Sequence, residues 1–182
     1  MTFHVNESMK KLTIESINWD EFATNPFSNT AWAPYLSIHP KRKGKVGEYY
    51  VDRILKEIGH EVQSPENTGH DRIIDGYKTE IKFSLASLGV KDSFTWNHLA
   101  REKDYDRALL VGINYDSEDH WKWFHREDFR HRWDEGFKYQ QGGQKAKNDD
   151  FFMLGSASTL FQLEWIYDMS DWLITPTVTK AA

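Results

Sequence analysis

Apolar and polar residues alternate most clearly in the centre of the chain, where two apolar runs flank an Asp-Gly pair. The runs cover residues 70–74 and 77–83, and the pair occupies positions 75 and 76. An Asp-Gly pair between apolar runs is typical of a β-hairpin closed by a two-residue type I′ turn. In the register that this turn dictates, Asp71 lies directly opposite Glu80.

A helical pattern precedes the hairpin. Apolar residues recur at helical spacing from Val46 to Ile58, and Gly59 follows as a natural stop, so we expect a helix from about Lys45 to Ile58. Before and after the hairpin we expect a short strand at 61–63, a helix over 93–102 with Ser93 as N-cap, a buried strand at 107–115 and a strand at 121–125. The C-terminal part is expected to contain a helix at 127–133, a polar loop at 138–150, a strand or helix at 160–167, and an apolar pair at 172–173 that closes the core. This order predicts an α/β fold in which a central mixed β-sheet is flanked by helices on both sides.

Composition limits the class of protein. The 182 residues suit one compact domain, which we expect at 41–182, preceded by an N-terminal arm or cap at 1–40. The 8 Trp, 8 Tyr and 11 Phe argue against disorder, and the absence of cysteine excludes a disulfide framework, a thiolate zinc site and a cysteine nucleophile. No apolar stretch is long enough to span a membrane and the start lacks the pattern of a signal peptide, so we expect a cytoplasmic protein with no membrane partner.

The central hairpin also carries the candidate chemistry. Strand alternation puts Lys82 on the same face as Glu80, while Ile81 and Phe83 point to the other face. Two carboxylates that face each other destabilise a hairpin unless a cation lies between them, and oxygen ligands favour Mg²⁺ or Mn²⁺. With a lysine beside them, Asp71 and Glu80 have the parts needed for metal-assisted phosphodiester hydrolysis. The alternative interpretation is a surface hairpin that happens to contain a Glu–Lys pair.

Asp71 followed by Glu80-Ile81-Lys82 resembles the motif of the PD-(D/E)xK nucleases. The similarity extends over residues 25–173, where the chain looks like type II restriction endonuclease-like members, although the hairpin is its diagnostic part. In two respects the chain departs from the family pattern, because no proline precedes Asp71 and position 97 is Asn where relatives often have Gln.

The resemblance implies a restriction-endonuclease-like core and assigns a role to each matching residue. Asp71 and Glu80 would ligate Mg²⁺, with Mn²⁺ as a substitute, and the backbone carbonyl of Ile81 would assist. Lys82 would position the attacking water. Glu48, on the preceding helix, would contact a second metal or a water, although a glutamate in the first turn of a helix is also favoured by the helix dipole.

DNA contacts are expected from two basic or amide-rich segments and from position 97. A net charge of −5 speaks against a protein that coats nucleic acid through bulk electrostatics, but the positive charge is gathered locally. The candidate DNA-binding residues are Lys41, Arg42, Lys43, Lys45, Asn97, Gln141, Gln144 and Lys145. Solvated loops are the alternative interpretation of both segments.

These observations together predict a Mg²⁺-dependent DNA endonuclease, most simply a type II restriction-type enzyme that cuts double-stranded DNA at a specific site. One active site cuts one strand, so a double-strand cut implies a homodimer or two successive nicks. Three alternatives stay open: a structure-directed, repair or phage nuclease without strict sequence specificity, a non-catalytic DNA-binding module of the same fold, and an RNA nuclease.

Overall fold

A six-stranded mixed β-sheet with helices on both faces forms the centre of the protein. The computed structural model describes residues 25–87, 90–116, 118–139, 152–154 and 160–173. The helices are α1 (Ala33–Leu36), α2 (Pro40–Glu57) and α3 (Arg126–Arg132), and the strands are β1 (Val62–Gln63), β2 (Arg72–Ile74), β3 (Tyr77–Leu85), β4 (Arg107–Ile113), β5 (Asp119–His125), β6 (Phe137–Tyr139), β7 (Phe152–Leu154) and β8 (Tyr167–Asp168). The expected α/β class and central mixed sheet are confirmed.

The strand order of the sheet is β1-β2-β3-β4-β5-β8, and β6 pairs with β7 in a separate two-stranded sheet. β3 and β4 run parallel, whereas the other neighbouring pairs of the large sheet are antiparallel. All seven residues of β4 are buried, as expected for a central strand covered on both faces. The parallel register pairs Thr79 with Arg107 and Glu80 with Ala108, so the residues just before β4 lie beside the start of β3.

Helix α2 covers one face of the sheet because a glycine lets it approach closely. A Cβ atom added at Gly47 would lie 2.5 Å from Phe83 Cβ. Phe83 in turn packs against the rings of Trp32, Tyr35 and Tyr50, which connect α1 and α2 to β3. This packing holds the N-terminal half of α2 beside the central hairpin.

The opposite face is covered by α3 and by an aromatic cluster. Phe129 of α3 packs against Phe124 of β5, and both rings contact Phe137 of β6. Trp165 stacks on Phe137 and completes the cluster. Within the part of the chain that the structure describes, no helix is both long and apolar enough to cross a membrane.

Helix α2 begins five residues earlier than its apolar pattern predicts. Pro40 occupies the first turn, where its missing N–H is not needed, and His39 caps the helix by accepting a hydrogen bond from Lys41 N at 3.3 Å. The basic segment 41–45 therefore lies in the first turns of a helix, and its interpretation as a loop is wrong. Apolar periodicity cannot detect a first turn that consists of proline and cations.

The register of the hairpin is confirmed, but its outer end differs from the prediction. Ile74 pairs with Tyr77 and Arg72 with Thr79, across a turn whose Asp75 and Gly76 both have positive φ. The ladder stops at Arg72. Asp71 N donates to Thr79 O at 3.0 Å, so Asp71 is not directly opposite Glu80 as the register arithmetic predicted.

Three other expectations are wrong. Segment 93–102 is irregular rather than helical, because its aromatic residues are buried at alternate positions and Trp96 Nε1 donates to Val111 O at 3.0 Å. Trp172 is buried as expected, but Leu173 is 70% exposed and does not close the core. The predicted 160–167 element reduces to turns before β8, and most of the polar loop at 138–150 lies outside the described residues.

Candidate active site

Asp71 lies at the edge of the sheet, where β2 has ended and β3 continues. Its Oδ2 atom accepts a hydrogen bond from Ile81 N at 2.8 Å. The N–H and C=O groups of one strand residue point to the same side, so the Ile81 carbonyl faces the same edge. The Asp71 carboxylate and the Ile81 carbonyl therefore share the open edge of β3.

Glu80 is almost completely buried, and only one of its two carboxylate oxygens is paired. Its exposed fraction is 1%. Oε1 accepts from Lys82 Nζ at 2.7 Å and from Lys103 Nζ at 2.8 Å, while Oε2 is buried without a hydrogen-bond partner among the described residues. An unpaired buried carboxylate oxygen costs about 1–3 kcal/mol or more, so its retention calls for an explanation.

The charges around Asp71 show that the carboxylates converge. Burial raises the pKa of the Asp71 carboxyl from 3.8 to about 6, and the Glu80 carboxylate contributes to the same rise. Glu48 adds a smaller effect, while the hydrogen bond from Ile81 and the charge of Lys82 act in the opposite direction. A shift of this size, caused by burial and like charge, is typical of functional sites.

Glu48 approaches this cluster from α2. Its side chain is 17% exposed and pairs with Lys45 Nζ at 2.7 Å. Since α2 begins at Pro40, Glu48 lies two turns inside the helix. The helix dipole, which acts within the first turn, therefore does not explain this residue.

Two residues at this site, Lys103 and Tyr105, were not predicted from the sequence. Lys103 contacts Glu80 directly, and Tyr105 is 1% exposed with a hydroxyl that has no partner in the described part of the chain. Glu80 also contributes to raising the pKa of Tyr105, after burial. Partial burial lowers the pKa of His98, and the charges of Lys82 and Lys103 lower it further, so His98 lies near both ammonium groups. The parallel pairing of β3 with β4, which no local sequence pattern encodes, brings Lys103 and Tyr105 to this site.

The candidate DNA-binding residues are only partly described. Lys41, Arg42 and Lys45 are exposed on the first turns of α2, and Lys43 lies over the Tyr35 ring at 5.6 Å. Asn97 is exposed beside His98. Gln141, Gln144 and Lys145 lie outside the described residues. A DNA contact at each of these positions stays a prediction.

The oxygen atoms at this site suit a hard cation whose remaining coordination positions are filled by water and by the substrate. Among the described residues, no three or more His, Asp or Glu side chains form a group able to hold a metal ion by themselves. Mg²⁺ usually takes one or two carboxylates and fills its other positions with water and substrate phosphates. Asp71, the unpaired Oε2 of Glu80 and the Ile81 carbonyl fit that requirement.

Comparisons with known proteins do not assign a family. No family model and no curated protein matches the chain. Among solved structures, the chain is similar to the bacterial homing endonuclease I-Ssp6803I, with a TM-score of 0.37 and 18% sequence identity, covering 50% of this chain and 72% of that one. A likeness of this size assigns neither a family nor an activity.

Proposed function

We propose that the protein is a Mg²⁺-dependent DNA endonuclease of the restriction type, which hydrolyses phosphodiester bonds at the site around Asp71, Glu80 and Lys82. The observation that carries the proposal is the unpaired Oε2 of Glu80, a buried carboxylate oxygen next to a second carboxylate of raised pKa. A purely structural ion pair gains nothing from such an arrangement, whereas a bound cation satisfies both carboxylates.

Each residue of the site has a role in the proposed reaction. Asp71, Glu80 and the Ile81 carbonyl would hold the cation, which would supply Lewis acidity at the scissile phosphate. Lys82, whose Nζ lies 2.7 Å from Glu80 Oε1, orients the attacking water. Hydrolysis forms a bond between phosphorus and the oxygen of that water and breaks the bond between phosphorus and a sugar oxygen, while the water loses a proton to solvent and the sugar oxygen takes one from solvent. Glu48 is close enough to Asp71 to influence its pKa, and its carboxylate accepts a hydrogen bond from the water.

Substrate contact is proposed for the cations on the first turns of α2. Lys41 and Arg42 lie in the first turn, which contains no acidic residue. Cations are unfavourable next to the positive end of a helix dipole, so their placement there is more readily explained if a polyanion binds near them. Lys45 lies close to the site, since its Nζ pairs with Glu48.

The proposal is tested by incubating the purified protein with plasmid DNA and Mg²⁺ and sequencing the ends. We expect discrete fragments with defined ends from the wild type. Lys82→Ala should abolish cutting, whereas Lys78→Ala should retain it, because Lys78 lies on the same face of β3 but pairs with Asp104. A Lys82→Ala protein that cuts like the wild type would contradict the proposed mechanism.

Other outcomes distinguish the alternatives. A smear of fragments indicates a nuclease without strict sequence specificity, and preferential cutting of branched duplexes indicates a structure-directed enzyme. Cleavage of RNA but not of DNA indicates an RNA nuclease and contradicts DNA as the proposed substrate. DNA binding without cutting, with Mg²⁺, Mn²⁺ or other divalent ions, indicates a non-catalytic binding module and contradicts the proposal.

A further inference from the structure

The ammonium groups of Lys82 and Lys103 both donate to Oε1 of Glu80, but the two lysines differ in backbone context and in exposure. Lys82 is part of β3, two residues from Glu80, and its side chain is 17% exposed. Lys103 comes from the irregular segment before β4, and its side chain is 37% exposed. Of the two contacts to Glu80 Oε1, the one from Lys103 is therefore more easily exchanged.

The backbone that carries Lys103 is anchored on both sides. Arg126 Nη1 donates to Lys103 O at 2.9 Å, and Lys78 Nζ pairs with Asp104 Oδ2 at 2.8 Å. Two further hydrogen bonds join Lys78 and Asp106: Lys78 N donates to Asp106 Oδ2 at 2.9 Å, and Asp106 N donates to Lys78 O at 2.8 Å. Any movement of the Lys103 ammonium is thus expected in its flexible side chain, while the segment stays in place.

The two ammonium groups at Glu80 are favourable only while no other cation binds this carboxylate. A divalent cation on the same carboxylate would face two positive charges within a few ångströms, in a site where burial strengthens their repulsion. Displacing the more exposed ammonium relieves this repulsion. The displaced Lys103 ammonium would then pair with a phosphate of the bound DNA strand, because that strand must approach the same carboxylates to be cut.

Resting on the proposed nuclease function, we infer that Lys103 is an exchangeable cation of the active site: it neutralises Glu80 when no metal is bound and, once displaced by the metal, binds a DNA phosphate. The role differs from that of Lys82, which stays at Glu80 and orients the water.

The inference is tested first without DNA and without turnover. Mn²⁺ alone is titrated by calorimetry into the wild type, Lys103→Met, Lys103→Arg and the matched control Lys91→Met, whose lysine is exposed and pairs with Asp116 and Glu118. Because methionine removes the competing cation and leaves the site more negative, Lys103→Met should bind Mn²⁺ about tenfold more tightly, which corresponds to about 1.4 kcal/mol. Lys103→Arg retains the ion pair with Glu80 and Lys91→Met changes no contact of Glu80, so both variants should stay within about twofold of the wild type.

A second measurement follows DNA binding with Ca²⁺ in place of Mg²⁺. Lys103→Met should bind a linear duplex about tenfold more weakly, and the slope of log affinity against log salt should fall by about one unit, as expected for one lost phosphate contact. Lys103→Arg should restore most of both values. A lysine with a merely structural role would change the melting temperature but neither the Mn²⁺ affinity nor the salt slope.

The outcomes separate this inference from the function on which it rests. A wild type that binds no divalent cation and cuts no nucleic acid contradicts both. If the wild type binds Mn²⁺ and cuts DNA, but Lys103→Met binds Mn²⁺ with equal or lower affinity, the inference about Lys103 is wrong and the nuclease proposal stands.

Discussion

At the scale of single residues, the buried and negatively charged surroundings of Asp71 disfavour its ionised form. Burial and the neighbouring carboxylates raise its pKa to about 6, although Ile81 N donates a hydrogen bond to it. Between pH 4 and pH 6 the folded protein therefore binds more protons at this residue than the unfolded chain does. The free energy of unfolding falls as pH rises through this window, and the ionised Asp71 destabilises the metal-free protein above it.

Asp71→Asn should therefore stabilise the metal-free protein at pH 7.5, because asparagine keeps an oxygen for the Ile81 N–H without the charge. We expect a gain of about 1–2 kcal/mol, less than the full pKa difference implies, since the side chain is only partly buried. The gain should disappear near pH 4. Denaturant unfolding in EDTA across this pH range measures both values.

Asp104→Asn is the matched control for this prediction. Asp104 is exposed, and its hydrogen bond from Lys78 lowers the pKa of its carboxyl, so its ionised form is favoured in the folded protein. The substitution should not raise stability at pH 7.5. If Asp71→Asn is no more stable than the wild type at this pH, the account of the carboxylate cluster is wrong.

At the scale of elements, the contact between α2 and β3 positions Glu48 near Asp71. Gly47 precedes Glu48 and lies against Phe83, where the backbone of the helix and the ring leave no room for a side chain. Gly44 lies one turn earlier in the same helix and has no atom within 4 Å of its Cβ position. The two glycines thus differ in packing and share the same helical propensity.

Gly47→Ala should lower stability by about 1–3 kcal/mol through overpacking and should reduce cleavage, because α2 must move away from β3 and carry Glu48 with it. Gly44→Ala should instead raise stability by up to about 1 kcal/mol, since alanine favours a helix, and should leave cleavage unchanged. Thermal unfolding and plasmid cleavage of both variants test the prediction. Equal effects of the two substitutions would show that close packing of α2 does not position Glu48.

Sequence patterns predicted these elements where local chemistry dictates them. The Asp-Gly pair determines the turn, and with it the register from Ile74 and Tyr77 outward, which is correct as far as Arg72 and Thr79. The approach of Asp71 to Ile81 depends on where the ladder ends, which no local pattern encodes. Likewise, the first turns of α2 lack apolar periodicity, so its start was placed too late.

The part of the site that the sequence did not reveal is contributed by tertiary contacts. Lys103 contacts Glu80, and Tyr105 lies close enough for Glu80 to raise its pKa, because β4 runs parallel to β3 and this pairing connects residues more than 20 positions apart. Segment 93–102 was predicted as a helix from its cap, but burial of Phe94 and Trp96 against the sheet overrides that local preference. Residue types at the hairpin were sufficient to locate the candidate site but not to complete it.

At the scale of the whole molecule, charge placement matters more than the total. The chain carries a net charge of −5, yet cations lie on the first turns of α2 and at the candidate site. A divalent cation at Asp71 and Glu80 would reverse the local sign of the potential. The protein is therefore expected to bind DNA weakly in EDTA and at least about tenfold more tightly in Ca²⁺.

Fluorescence anisotropy with a labelled duplex measures this difference. The double variant Lys41→Gln, Arg42→Gln should weaken binding similarly for all sequences and reduce the salt slope by about two units, because these cations are expected to contact phosphates. Lys56→Gln, at the other end of α2, should leave both values unchanged. Equal affinity in EDTA and Ca²⁺ would contradict the expected role of the metal.

The most direct test of the central claim is the single-turnover cleavage rate of Glu80→Gln at saturating Mg²⁺, compared with the wild type and Asp104→Asn. Glutamine preserves the shape and an oxygen for Lys82 but removes the charge that would hold the cation. We predict a rate about 10²–10³-fold below that of the wild type for Glu80→Gln, and a rate within about threefold of it for Asp104→Asn. Cleavage by a folded Glu80→Gln protein at the wild-type rate would contradict the assignment of this site.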